Sequence, residues 1–465
     1  MSADQDREDV SILERIRENP GPAMGWLAGA LVLFALEAGA VVHFVTSLVG
    51  SPVDLPTLLT RDLIPNNGYV TPGGAWQETF LNLPAAYAWA IRVVLVYVYA
   101  FVCMVWLWRG YEIFREHYRY ADWTPRDDMV DRLRGHRWGQ FGAVIVFAFV
   151  VMAMFAPALG PTTVERTISN PYSHYIEYYN DQGQLENVTV GSANLGARSQ
   201  GTPDQNVGPM QYDQYGRWHP FGTLPSGKDM FTFMAAGARI SLFIGLTSIL
   251  VSGFVAVSFA LVTAYYKGLV DLLVVILGDS IMSLPSLLFV MLLSVVLGGT
   301  WLAEIYSGGF LLAVIFAITG WPFLWRSVRG PAMQIAEQEW IDAAKSFGQR
   351  PRVTMQKHMA PYILGYLLVY ASMRLGGIII AVAGLSFLGL GINPPTPEWG
   401  RAVNIGQGYV TTASWHISFI PGVLIVLVVT AFNALGDGIR DAVDPQSEGS
   451  EGEGAEAAAA GGGGA

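Results

Sequence analysis

A single cysteine in 465 residues, Cys103 within an apolar run, excludes a disulfide framework and a cysteine-based zinc cluster. Charge is also scarce. Asp, Glu, Lys and Arg make up 14% of the chain, against about 25% in soluble domains, while 52% is hydrophobic. So apolar a chain does not stay disordered over most of its length. Lysine is nearly missing, with Lys228, Lys267, Lys345 and Lys357 the only ones among 27 basic residues. The net charge of −10 leaves no basic patch for a nucleic-acid partner. The seven histidines lack the close pairing of a metal-binding helix, so no metal ligands are expected. What remains is a membrane protein. Its acid-rich, lysine-poor exposed segments fit a halophile such as a halophilic archaeon, where dense salt screens self-repulsion.

A bilayer core of about 30 Å needs roughly 20 apolar residues per helix. Eight segments qualify, at about 24–49, 85–108, 139–159, 235–264, 272–297, 309–325, 362–386 and 416–436. The first is not a cleaved signal peptide: acids accompany Arg7, Arg15 and Arg17, the apolar stretch is too long, and no A-x-A site follows. Basic residues concentrate in 1–23, 109–137 and 326–357, whereas the short opposite segments hold only Arg61 and Arg401. The positive-inside rule then puts both termini in the cytoplasm, in a plasma-membrane, multi-pass, all-α polytopic protein. Residues 160–234 form a polar outer loop with one glycosylation sequon at Asn187, and 446–465 reads as a disordered acidic tail.

Chemistry concentrates in Glu337 to Pro361, EQEWIDAAKSFGQRPRVTMQKHMAP. Trp340, Ala343, Ala344 and Phe347 recur at i, i+3, i+4, i+7, one face of a helix, with Glu339, Asp342 and Lys345 off that face. Gly348 stands where a helix stop belongs. Pro351 suits the first turn of a second helix, where its missing N–H costs nothing. The spacing predicts a short amphipathic helix, a glycine corner and another helix on the inner side. Its two alanines keep the face flat enough to enter a cleft on another protein. Periodicity alone favours a helix packed on its own bundle.

Asp342-Ala343-Ala344, Gly348 and His358-Met359-Ala360-Pro361 resemble the EAA loop of ABC importer permeases, with Asp for the usual Glu and Ala360 for the usual Leu. The likeness extends to His219-Pro220-Phe221-Gly222-Thr223, Gly237-Ala238-Arg239, Thr319-Gly320-Trp321-Pro322, GLSFLGLGINPPTPEWG from Gly384 to Gly400, and Asn433-Ala434-Leu435-Gly436-Asp437-Gly438. In this order the motifs resemble the second permease subunit of dipeptide/oligopeptide/nickel importers, over about 126–445. The resemblance implies a C-terminal type I permease core at 235–445 with its coupling loop at 337–361. It places the family's first helix and outer loop at 126–234, after an extension of residues 1–125 with two extra transmembrane helices. It further implies a heterodimer with a homologous permease, two ATPase subunits carrying ATP and Mg, an extracellular solute-binding protein, and no cofactor on this chain. Glu339, Trp340, Asp342, Ala343, Ala344, Phe347, Gly348, His358 and Pro361 would then couple the ATPase to alternating access. Peptide is the expected solute, with nickel or sugars as alternatives.

The stretch Gly222 to Asp229 nearly spells a phosphate-binding loop. It fails where a hydroxyl should ligate Mg²⁺, because Asp229 would repel phosphate. Charges in apolar spans are expensive and often functional. Glu37 and Arg92, in the extension, are read as a structural pair or as interfacial. Asp279, shortly before Pro285, reads equally as a helix-distorting or packing residue and as a substrate contact, and Arg374 is the sharper candidate for the translocation path. Relatives often carry a Glu near the LSFLGLG run where this chain has Val382, so Arg374 without that acid suits an anionic end of a solute. Pairing of Arg374 with backbone carbonyls or with the partner subunit stays open. A secondary transporter would show interrupted repeats with midplane acids, and an intramembrane enzyme a nucleophile–base constellation. Neither pattern is evident, and no catalytic residue is assigned.

Overall fold

The structure is a computed structural model that describes residues 12–40, 42, 55, 57–119, 124–196 and 206–443. The tail at 446–465 lies outside the described residues, as does most of 41–49 in the first expected span. Contacts divide the chain into two units, Met1–Asp127 with Met154–Ala235, and Asp128–Ala153 with Ala236–Ala465.

The helices are α1 (Ile12–Glu18), α2 (Pro20–Leu36), α3 (Ala85–Ile113), α4 (Pro125–Gly135), α5 (Arg137–Met154), α6 (Met230–Tyr266), α7 (Gly268–Met282), α8 (Ser286–Leu297), α9 (Gly309–Ala336), α10 (Glu339–Ser346), α11 (Pro351–Thr354), α12 (Ala360–Phe387), α13 (Trp399–Gly406) and α14 (His416–Val443). Among the described residues, six helical stretches are long and apolar enough to cross a bilayer, and the bent pairs α1–α2 and α7–α8 make eight if each counts as one span. The fold is an all-α polytopic membrane protein.

The expected single span at 272–297 is two helices, bent by 86° across Ser283-Leu284-Pro285. Pro285 has no N–H to give and its ring disfavours helical backbone at Leu284, so the helix stops and restarts. Average hydropathy does not register that break. Conversely, α9 runs past its expected end at 325 to Ala336, tolerating Pro322 and Pro331 inside it.

In the second unit α12 packs on α14, α13 and α9. One apolar core gathers Ala256, Ala260, Trp321, Trp325, Ile341, Met359 and Ile363, and another Ile244, Ile315, Phe316, Ile378 and Val382. The GLSFLGLGINPPTPEWG run reverses the chain between α12 and α13. Glu398 caps α13 by accepting the Arg401 N–H at 3.0 Å. At Gly400 a Cβ would lie 1.8 Å from the Ala383 carbonyl oxygen, so only glycine allows that approach.

The first unit joins residues 1–125 to residues 160–234, and the latter are built rather than loose. Among its described residues the first unit carries three antiparallel hairpins, Tyr69–Val70 with Trp76–Gln77, Tyr175–Tyr179 with Leu185–Thr189, and Gln211–Tyr212 with Trp218–His219. Arg92, wholly buried, donates to the carbonyls of Ala158 (2.8 Å), Ile64 (3.0 Å) and Gly160 (3.0 Å) and to Asn66 Oδ1 (2.7 Å). Arg61 donates to the carbonyls of Pro157 (3.0 Å), Gly160 (2.6 Å), Pro161 (2.9 Å) and Thr162 (2.6 Å). Glu37 instead accepts the Leu59 N–H at 2.9 Å. The expected Glu37–Arg92 pair therefore does not form: backbone dipoles satisfy Arg92.

Candidate functional site

The segment Glu337 to Pro361 forms from local signals. Gln338, extended at φ −75° and ψ 144°, precedes α10. At its other end Gly348 takes φ +72°, its N–H donates to the Lys345 carbonyl (2.9 Å), and the Gln349 N–H donates to the Ala344 carbonyl (3.1 Å). That pairing of bonds is a Schellman stop, which needs a left-handed residue at the corner. Pro351 then opens α11, and a wider turn over Met355–Met359 leads into α12 at Ala360-Pro361.

The face carrying Trp340, Ala343 and Phe347 points away from the chain's own core. Phe347 is 91% exposed and Trp340 46% exposed, and Ala343 is exposed while Ala344 is half-buried. Trp340 meets only the edge of the bundle, its ring 6.2 Å from that of Tyr362. Glu339, Asp342 and Pro361 are exposed and His358 is half-buried. Lys345 ties to Asp342 at 3.1 Å and lies 5.5 Å from the Tyr265 ring centroid. What holds α10 to the bundle is Ile341, fully buried in the cluster with Ile335, Met359 and Ile363. Sequence reasoning passed over Ile341, which sits about 100° round the helix from Trp340. The signal was present, a lone large aliphatic residue off an otherwise alanine-rich stripe.

Asp279 and Arg374 are not brought together. Asp279 pairs with Arg326 of α9, and Asp271 with Arg329, whose Nε lies 2.8 Å from Oδ1. Two ion pairs thus join α7 to α9. Arg374 lies on α12 at the wall of a cavity of about 520 Å³ between the start of α8, α9 and α12. Its guanidinium sits 5.0 Å from the Phe323 ring centroid.

The false phosphate loop is a tight turn in the first unit. Gly222 and Gly227 have positive φ, Thr223 bridges to Asp229, and Asp229 Oδ1 accepts the Thr232 N–H at 2.7 Å at the start of α6. Its other oxygen takes His219 Nδ1 at 2.8 Å, while Asp213 faces His219 Nε2 at 3.5 Å and Arg217 Nε at 2.6 Å. Burial opposes the charge on His219, but the hydrogen bonds to Asp213 and Asp229 outweigh it and hold its pKa above 6.5. Burial alone would raise Asp213, yet the Arg217 charge and the His219 bond pull it down to about 2.

Two family descriptions match the chain: binding-protein-dependent transport system inner membrane component over residues 233–448, and the N-terminal TM domain of oligopeptide transport permease C over 124–180. The glutathione transport system permease protein GsiD of Escherichia coli is 30% identical over 326 residues, 70% of this chain and 92% of the relative. The dipeptide transport system permease protein DppC of Bacillus subtilis is 31% identical over 315 residues, 68% of this chain and 84% of the relative. The chain belongs to this permease family. As a family member it is a multi-pass membrane permease subunit of a binding-protein-dependent importer, served by ATPase and binding-protein partners. The family match at 233–448 includes α10 and the Arg374 cavity.

Proposed function

We propose that this permease pairs with a homologous permease, two ATPase subunits and an extracellular solute-binding protein to import peptides by alternating access. The glutathione and dipeptide relatives support the solute class. Both termini are cytoplasmic in this reading, supported by the arginine-rich segments 109–137 and 326–357. ATP and Mg stay on the ATPases, and this chain contributes no catalytic residue and no cofactor. Its acidic surface suits concentrated salt.

The observation that carries the reading is the exposed face of α10. A helix held by one buried residue, Ile341, and closed by a rigid glycine corner offers Trp340, Ala343 and Phe347 to another surface. An exposed aromatic pair with small residues between is the composition of a groove-docking helix. Closure of the two ATPases on ATP would draw this helix and its counterpart on the partner permease together, and α11 and α12 would pass the movement to the spans.

Ala343→Glu tests this directly. On an exposed face it leaves folding unchanged, but it would put an unpaired charge in the docked contact, at about 3–5 kcal/mol. The ATPase should no longer co-purify with the variant, while loaded binding protein still associates. Gly348→Val, straining the corner by roughly 1–2 kcal/mol, should weaken the same association less. Undiminished ATPase recovery and solute-stimulated hydrolysis in both variants would remove the coupling role from this helix.

A further inference from the structure

We propose that the Arg374 cavity is an anion subsite of the translocation path, which receives the carboxylate of the passing solute. This makes the permease itself, and not only the binding protein, selective for acid-ended solutes. The inference rests on the import function proposed above and adds the charge that the path recognises.

A guanidinium stays ionised, and in an apolar span it needs charge or dipoles around it. Arg92, Arg326 and Arg329 have them, and Arg239 in α6 has an exposed side chain instead. Arg92 holds backbone carbonyls, while Arg326 and Arg329 hold Asp279 and Asp271. Arg374, half-buried, differs: among the described residues it makes neither an ion pair nor a hydrogen bond, and its guanidinium lies 5.0 Å from the centroid of the Phe323 ring. Gly320 leaves room beside it, since a Cβ there would lie 3.0 Å from an Arg374 Nη atom.

The rest of the wall is built to complement an anion. It contains no acidic residue. Thr319 and Ser327 spend their hydroxyls on the carbonyls of Ile315 and Phe323. Ser286 and Tyr370 also line the cavity, and their hydroxyls have no partner among the described residues. A planar donor fork, two uncommitted hydroxyls and an otherwise apolar lining make a pocket for one carboxylate with an apolar remainder. At about 520 Å³ it has the size of a small-molecule site.

The test uses the complete transporter in proteoliposomes, with binding protein added, and two probes, tri-alanine and tri-alanine amide. Arg374→Gln should cut tri-alanine uptake about tenfold or more, the loss expected for one charge-assisted bond. Arg374→Lys should recover most of that uptake, and uptake of the amide should be indifferent to either substitution. An independent readout is modification of Arg374 by phenylglyoxal, followed by peptide mass spectrometry. Tri-alanine, and acetate at high concentration, should protect Arg374, whereas the amide should not. Equal loss of both probes in Arg374→Gln, loss of the partner permease on purification, or absence of carboxylate protection would each overturn the inference. A wild-type transporter that imports neither probe would strike the proposed peptide function instead, and acetate protection would still decide for or against the subsite.

Discussion

Arg92 and Arg374 both lie in apolar helices, yet the protein treats them in opposite ways. Four oxygens surround Arg92, three from backbone carbonyls and one from Asn66, and none of its surface reaches solvent. Arg374 is left beside an aromatic ring at the wall of a cavity. A buried charge that is fully answered is a fastener, and one left unanswered is available for work. Residue type does not separate the two cases; the inventory of acceptors does, together with the full burial of Arg92 against the half-burial of Arg374.

The contrast has graded consequences. Arg92→Gln should leave the carbonyls of Ala158, Ile64 and Gly160 short of a donor and cost about 3–5 kcal/mol. This should appear as a large drop in the thermal midpoint and early proteolysis of the hairpins of the first unit. Arg374→Gln should leave that midpoint within a degree or two, and a comparable fall in both variants would erase the distinction. Arg61→Gln, removing a second grip on the same Pro157–Thr162 segment, should cost about 1–3 kcal/mol.

The smallest effect concerns His219, a third answered charge. Its folded pKa stands above 6.5, so its stabilisation is complete below that pH and is lost as pH rises through the raised value. Asp213, held at about 2 against an ordinary 3.8, contributes above 3.8 and loses its contribution as pH falls towards 2. The thermal midpoint should therefore decline modestly on the alkaline side, and His219→Gln should flatten that decline. An unchanged slope in the variant would assign the alkaline loss to other groups.

Much of this was legible in the residues, and the illegible parts share a cause. The helix 339–346, its stop at Gly348 and the restart at Pro351 depend on neighbours within a few positions, so the sequence pattern anticipates them. The break at Pro285 is equally local and was missed only because mean hydropathy ignores proline. The partners of Arg92 are a different matter. Backbone carbonyls have no side-chain signature, and two of them lie 66 and 68 positions away. The extension consequently reads in sequence as an addition to the core, whereas in the structure Arg92 grips the carbonyls of Ala158 and Gly160. Ile341 shows the converse limit: periodicity finds a helix face, but which face turns inward depends on Met359 and Ile363.

The Arg92 grip also fixes an order of events during synthesis. Ile64 and Asn66 leave the ribosome before Arg92, but Ala158 and Gly160 follow it by 66 and 68 residues. At about 5–20 residues per second that delay lasts on the order of several seconds. During it α3 carries a guanidinium with only half its final acceptors. The nascent helix must therefore wait near water or the insertion machinery, and it settles once Pro157–Thr162 emerges and closes over it.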